Sequence, residues 1–202
     1  GVFKVDAESA DRTVQSMEET RSKRDPQRVK KALEDLKVGS PTDEDTDIGP
    51  LARKDLRDDL HEQLQRSIQE GAQLLLGGKP QDGPGYFYTT TLIQSDSIYN
   101  HALQDETFGP LAAVIVSKDE SEAVELANQS RFGLGGSLWT QDIEKAELLV
   151  RELETGSVTV NDLLRSDVRM PFGGIKDSGF GREMGPDGIL EFVNQKSIRI
   201  NK

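Results

Sequence analysis

Apolar residues stand at positions 56, 60, 64 and 68, with Asp, Arg, Gln and Glu between them, and the pattern stops at Gly71. This spacing puts Leu56, Leu60, Leu64 and Ile68 on one helical face, a stripe suited to core packing rather than to a coiled-coil seam. A shorter stripe in "QRVKKALEDLKVG" (Val29, Leu33, Leu36) predicts a helix from Gln27 capped at Gly39. Between them "SPTDEDTDIGP" gathers turn-forming residues and reads as a loop. The period then shortens: "AQLLLGG" reads as a buried strand and "GYFYTTTLI", rich in aromatic and β-branched residues, as another. From Leu111 the elements alternate, with strands at "LAAVIVS", "LGGSLWT" and "GSVTVND" and helices at "ESEAVELANQ" and "DIEKAELLVREL". Alternation of this length predicts an α/β fold: right-handed β-α-β crossovers and a mostly parallel sheet with flanking helices. Ser121 and Asp142 are the expected helix caps.

The two ends depart from this order. Residues 1–26 carry few apolar positions and no clean period, so they read as an unassigned arm or short helices ending at Pro26. Residues 27–195 form the main body. The last stretch holds a glycine-rich loop, a short helix near "DGILEFV", and then "SIRIN" within residues 196–202. A lone terminal strand needs a sheet edge to join, its own or a neighbour's. The chain opens on Gly1 rather than Met, as expected of a recombinant or processed product or a piece of something longer.

Composition narrows the chemistry. A formal charge of −11 argues against nucleic acid or an anionic membrane as partner. No run approaches the roughly 18 apolar residues of a membrane span and no signal-peptide pattern is present, so a cytoplasmic location is expected. Zero cysteine excludes disulfides, thiolate metal sites and a cysteine nucleophile within these 202 residues. The two histidines, His61 and His101, are isolated and read as ordinary core or surface residues, so no metal site is expected.

Two segments stand apart from the scaffold. In "QDETFGPLAAVIV", Asp105, Glu106 and Phe108 precede a Gly-Pro turn that feeds a strand. One reading is a polar loop whose Phe plugs the core. The other places Glu106 and Phe108, at i and i+2 of an extended loop, on one side, where a carboxylate binds a sugar diol and an aromatic packs on a ring. The second segment, "RMPFGGIKDSGFGRE", holds Gly173, Gly174, Gly179 and Gly181, which can adopt positive φ and admit a ligand or another backbone. Neither a GxGxxG after a strand nor a Walker motif occurs, so a phosphate cradle is not supported.

The order "DTDIGPL", "DETFGPLAAVIV", "FGLGGSLWT", "GSVTVND", "MPFGGIKDSGFGRE" resembles the C-terminal part of NAD(P)-dependent aldehyde dehydrogenases, from about Gln27 to Lys202. Glutamate, any residue, Phe-Gly-Pro and then Phe-Gly-Gly about 60 residues on is far more specific than a lone glycine motif. The resemblance implies that Glu106 holds the nicotinamide ribose of NAD or NADP and that Phe108 positions the nicotinamide. It implies that Phe172 lines the substrate tunnel and that Asn161 lies at the strand end opening into it. "LLRSDVRM" looks most like the succinate-semialdehyde branch, which implies that Ser166 binds the distal carboxylate of a small aldehyde, with Arg165 and Arg169 as nearby charge or as surface ion pairs. By the same resemblance "KSIRIN" is an oligomerisation strand, pairing with a second copy or a full-length dehydrogenase subunit.

The departures are as specific as the matches. The family's thiolate should fall within the first 26 residues, where Ser9, Thr13 and Ser16 sit in no matching motif and lack an evident base. The nucleotide-binding domain and the general-base glutamate, placed upstream by the family, are also missing, so no catalytic residue is assigned and the isolated chain is expected to be inactive. Two readings follow: the back part of an aldehyde dehydrogenase, or a non-catalytic oligomerisation or binding module derived from one.

Overall fold

The computed structural model describes residues 26–201, so the expectation for the arm before Pro26 lies outside the described residues. The chain divides into two compact units, one ending at Ser130 and the other starting at Arg131. Both are mixed α/β.

The first unit is built on a three-stranded sheet in the order β1 (Gln73–Leu76), β2 (Thr91–Gln94), β3 (Leu111–Val114). β1 is antiparallel to β2, and β3 is parallel to it, with Thr91 opposite Leu111 and Gln94 opposite Val114. Successive side chains of a strand point to opposite faces. Ile93 accordingly packs with Leu60 and Leu64 of helix α2 (Lys54–Gln69), Ala72, Tyr88 and Ala102, while Leu92 packs with Leu33 of helix α1 (Pro26–Glu34) and Ala112. Leu64, Leu92, Ile93 and Tyr88 are fully buried. The leucine stripe thus forms the contact its period predicts.

Four details differ from the sequence expectation. β1 is not a buried strand: Gln73 and Leu74 are exposed and Leu75 and Leu76 half-buried, since β1 is an edge of the sheet. Helix α1 ends at Glu34, not near Gly39, because the chain turns into an isolated bridge between Val38 and Ile48. The aromatic half of "GYFYTTTLI" forms no ladder: Tyr88 makes a single bridge to Pro80 and buries its ring in the core. The helix α4 (Glu120–Asn128) is capped by Asp119, not Ser121; the Asp119 carboxylate accepts the Glu122 N–H at 2.9 Å. Before it, the single turn α3 (His101–Gln104) follows an Asn100 cap.

In the second unit β5 (Gly135–Leu138) and β6 (Ser157–Val160) pair in parallel across helix α5 (Ile143–Leu149), which Asp142 caps as expected. β4 (Phe132–Gly133) pairs antiparallel with β7 (Ile175–Lys176), a strand returned by the glycine-rich segment, and α6 (Gly185–Leu190) follows. The parallel pairs are therefore β2–β3 and β5–β6, in separate sheets. Residues 197–201 join no ladder of their own chain; Ile198 and Ile200 are exposed. No helix among the described residues is long and apolar enough to cross a membrane.

Burial also perturbs a phenol. Tyr88 donates to or accepts from Nδ1 of His61 at 2.8 Å, and desolvation pushes its pKa up to about 12. A phenol raised from its unfolded value of about 10 favours the folded state at lower pH, and that contribution is lost as pH rises through about 12. Absorbance titration of tyrosinate should show one step near pH 12 that Tyr88→Phe removes. A Tyr88→Phe protein with an unchanged titration would refute the assignment.

Candidate functional site

Glu106 and Phe108 lie where the sequence puts them, on the loop between α3 and β3. Glu106 is exposed and Phe108 is 54% exposed, so the aromatic does not plug the core. The loop is fixed at both ends. At its exit the Pro110 carbonyl accepts the Thr91 N–H at 2.8 Å and Leu111 enters the ladder. Gly109 allows the closest approach: a Cβ there would lie 2.4 Å from a Leu60 methyl.

At the entry, buried polar groups join the loop to α2. Asn100, 2% exposed, donates through Nδ2 to the Ser67 carbonyl at 2.8 Å, and its Oδ1 accepts the Ala102 N–H at 3.3 Å. The Ser67 hydroxyl, also buried, accepts the same N–H at 3.0 Å and donates to the Gln63 carbonyl at 2.8 Å. Gln63 Nε2 then donates to the Glu106 carbonyl at 3.2 Å. Glu70 accepts the His101 N–H at 2.9 Å and bonds its ring Nδ1; the backbone bond to His101 is the main cause holding the Glu70 carboxyl below its ordinary range. His101 is thus a scaffold residue. Sequence reasoning missed Gln63, Ser67 and Asn100; the available signal was the i, i+4 spacing of Gln63 and Ser67 beside the leucine stripe.

The remaining candidates belong to the second unit. Arg165 and Ser166 are exposed on the irregular segment after β6. Asn161 ends β6 in a left-handed conformation (φ 55°), with its amide donating to the Thr140 carbonyl at 2.8 Å and accepting the Thr140 N–H at 2.9 Å. Both amide groups thus tie β6 to the chain after β5. Arg169 is an ion pair: its Nε reaches Asp167 Oδ1 at 2.9 Å and its Nη2 reaches Oδ2 at 2.5 Å. The Arg169 guanidinium is the main cause holding the Asp167 carboxyl well below the carboxylate range. Phe172 is half-buried, and its N–H and carbonyl both bond Glu183 at 2.8 Å.

The glycines of this segment serve close backbone crossing as much as turning. Gly179 and Gly181 have φ of 116° and 78°, but Gly173 and Gly174 do not adopt positive φ. A Cβ on Gly156 would sit 1.7 Å from the Gly173 carbonyl, and one on Gly173 would sit 2.5 Å from the Gly181 carbonyl. The Arg182 guanidinium binds the carbonyls of Gly174 and Gly181 at 3.0 and 2.6 Å. No group of three or more His, Cys, Asp or Glu able to hold a metal occurs among the described residues.

The first unit thus presents a loop-borne carboxylate and aromatic, and the second a glycine-built backbone crossing. The chain belongs to the aldehyde dehydrogenase family, whose model matches residues 16–198. That match begins upstream of Gln27, inside the segment expected to lie outside the resemblance. Succinate semialdehyde dehydrogenase (NAD(P)+) Sad of Escherichia coli is 44% identical over 81% of this chain, and a probable succinate-semialdehyde dehydrogenase (NADP(+)) of Synechocystis is 45% identical over 86%. The chain spans 35% and 38% of those relatives' own lengths. Among solved structures, a Mycobacterium tuberculosis aldehyde dehydrogenase complexed with NAD+ matches 99% of the chain and 45% of its own, with 32% identity and a TM-score of 0.84. A Staphylococcus aureus betaine aldehyde dehydrogenase in complex with NAD+ matches 82% of this chain and 34% of its own, with 33% identity and a TM-score of 0.78.

The glycine crossing yields a direct test. A methyl at position 156 meets backbone, which cannot rotate away, so Gly156→Ala should destabilise the second unit by at least about 2 kcal/mol. Denaturant unfolding followed by the fluorescence of Trp139, the single tryptophan and a residue of this unit, reads the loss. An unshifted midpoint would contradict the crossing.

Proposed function

We propose that this chain takes part in NAD(P)-dependent oxidation of a small aldehyde with a distal carboxylate, succinate semialdehyde, to the carboxylic acid. The observation that carries this reading is the 44% and 45% identity to succinate-semialdehyde dehydrogenases. The donor set fits a nicotinamide nucleotide: an exposed carboxylate and, two residues on, a half-exposed ring share one loop. In this role Glu106 accepts hydrogen bonds from the ribose hydroxyls and Phe108 orients the nicotinamide by packing on it. Bound NAD(P)+ supplies the hydride acceptor. Phe172 excludes water along the aldehyde, and Ser166 donates to the distal carboxylate beside Arg165. The 202 residues contain no cysteine, so the proposed reaction uses a thiolate from another segment or subunit, and the chain by itself is inactive. We place this activity in the cytoplasm.

A second reading, a binding or oligomerisation module, is favoured by the surface of the second unit. Ala146 is its one buried hydrophobic among the described residues, whereas Phe180, Phe192, Ile198 and Ile200 are exposed. Apolar surface on this scale marks an interaction face. The two readings agree on a tail that pairs with a second copy or a full-length dehydrogenase subunit.

A hybrid carrying residues 27–202 in place of the matching segment of the Escherichia coli relative should reduce NAD(P)+ with succinate semialdehyde. In that hybrid Ser166→Ala should raise KM for succinate semialdehyde about tenfold, the worth of one hydrogen bond to a charged group, and leave KM for butanal within about twofold. A folded but inactive hybrid, or equal effects on both aldehydes, would sink the assignment. Deleting residues 197–202 should lower the mass of the chain's assemblies by light scattering; unchanged mass would remove the tail from the interface.

A further inference from the structure

Helix α2 presents two different rows. One is the leucine stripe that packs on the sheet. The other is polar: Gln63 and Ser67, four residues apart, stand one above the other. Three polar contacts made by this row run toward the segment that leads into the Glu106 loop. The Ser67 hydroxyl receives the Ala102 N–H and gives its own proton to the Gln63 carbonyl, while the Ser67 carbonyl receives the Asn100 amide. Gln63 Nε2 donates to the main-chain carbonyl of Glu106, 43 residues away in sequence.

Burial makes the inner part of this chain of bonds expensive to break. Ser67 is fully buried and Asn100 nearly so, so a lost partner leaves an unsatisfied polar group with no water to replace it. Asn100 also serves as the cap of α3, the single turn that delivers the chain to Asp105. Such a short helix has little stability of its own and holds its direction only through its neighbours. Beyond Glu106, Gly109 already seats against Leu60 of the same helix. Three separate contacts therefore refer the loop's path to α2.

We propose that Gln63, Ser67 and Asn100 are positioning residues that set the path of the loop bearing Glu106 and Phe108 without touching the cofactor themselves. The functional part rests on the reading of that loop as the nicotinamide contact. Because Gln63 grips main chain rather than side chain, it fixes where the loop runs whatever ligand the side chains meet. Preorganised loops lower the cost of binding, so loosening this one should weaken the ligand it serves and leave the aldehyde pocket alone.

The test uses the full chain and two readouts. Gln63→Met removes the donor with little change in volume or helix propensity. Asn100→Ala removes both the cap and the bond to Ser67. Hydrogen exchange is followed at Asp105 and Leu111, whose amides donate to the His101 and Gly109 carbonyls at 2.8 Å on either side of the loop. Each variant should exchange about tenfold faster at these amides, with the β2–β3 ladder beyond Leu111 unchanged. Should Asn100→Ala fail to fold, Gln63→Met decides, since Gln63 is only half-buried and lies off the leucine stripe. Unchanged exchange in folded Gln63→Met would overturn the proposal. In the hybrid enzyme, Gln63→Met should raise KM for NAD(P)+ several-fold while KM for succinate semialdehyde stays within about twofold. Faster exchange with an unmoved cofactor KM would uphold the positioning role and reject the loop as the cofactor contact.

Discussion

Helix α2 packs Leu60 and Leu64 against Tyr88 and Ile93, and the order of the first unit follows from that contact. Burying side chains of this size contributes about 1.5–3 kcal/mol each, which fixes the helix on the sheet. Once fixed, the helix offers its polar flank to the chain entering the Glu106 loop and Leu60 to the glycine leaving it. A hydrophobic contact thereby sets the geometry of a polar loop. α1 repeats the arrangement on the opposite face through Leu33 and Leu92, so β2 is covered on both sides. A strand covered in this way cannot shift register by one residue without exchanging Leu92 and Ile93 between two filled cores.

The second unit is ordered by other means. Its backbones cross so closely that Gly156 and Gly173 leave no room for a side chain, and carbonyl groups at the crossing are collected by one guanidinium, that of Arg182. Hydrogen bonds of this sort fix direction well but contribute little net stability, about 1 kcal/mol apiece. With Ala146 as its buried hydrophobic and large apolar side chains outside, the unit has the interior of a much smaller domain. Under the second reading, association takes up the apolar surface that folding leaves exposed.

The parts that were legible from sequence are those decided within one turn or one strand. The leucine stripe of α2, the Asp142 cap and the β5-α5-β6 crossover depend on local period and on residues a few places apart. The Asp119 cap was also in the sequence, since Asp119 and Glu122 have the cap-to-N3 spacing, but the serine two residues on drew the assignment. Non-local features were not legible. Tyr88 leaves the strand pattern because a core pocket under α2 takes its ring, and Gln63 reaches Glu106 across 43 residues. Glu106 and Phe108 stood out in the residue pattern and Ser166 only through resemblance, yet nothing in their spacing states which helix holds the Glu106 loop.

The charge around Ser166 follows from its neighbours. Ser166 is followed by Asp167, and an unbalanced carboxylate there would repel an anionic substrate. The bidentate contact from Arg169 offsets that charge, and Asp167 Oδ1 also accepts the Arg169 N–H at 2.9 Å. Under the proposed function Arg169 thus acts by neutralising a neighbour, and recognition of the distal carboxylate falls to the Ser166 hydroxyl and the Arg165 side chain. Ser166 is itself exposed, so under the proposed function its hydroxyl competes with water for the distal carboxylate and contributes only the modest net worth of one hydrogen bond to a charged group.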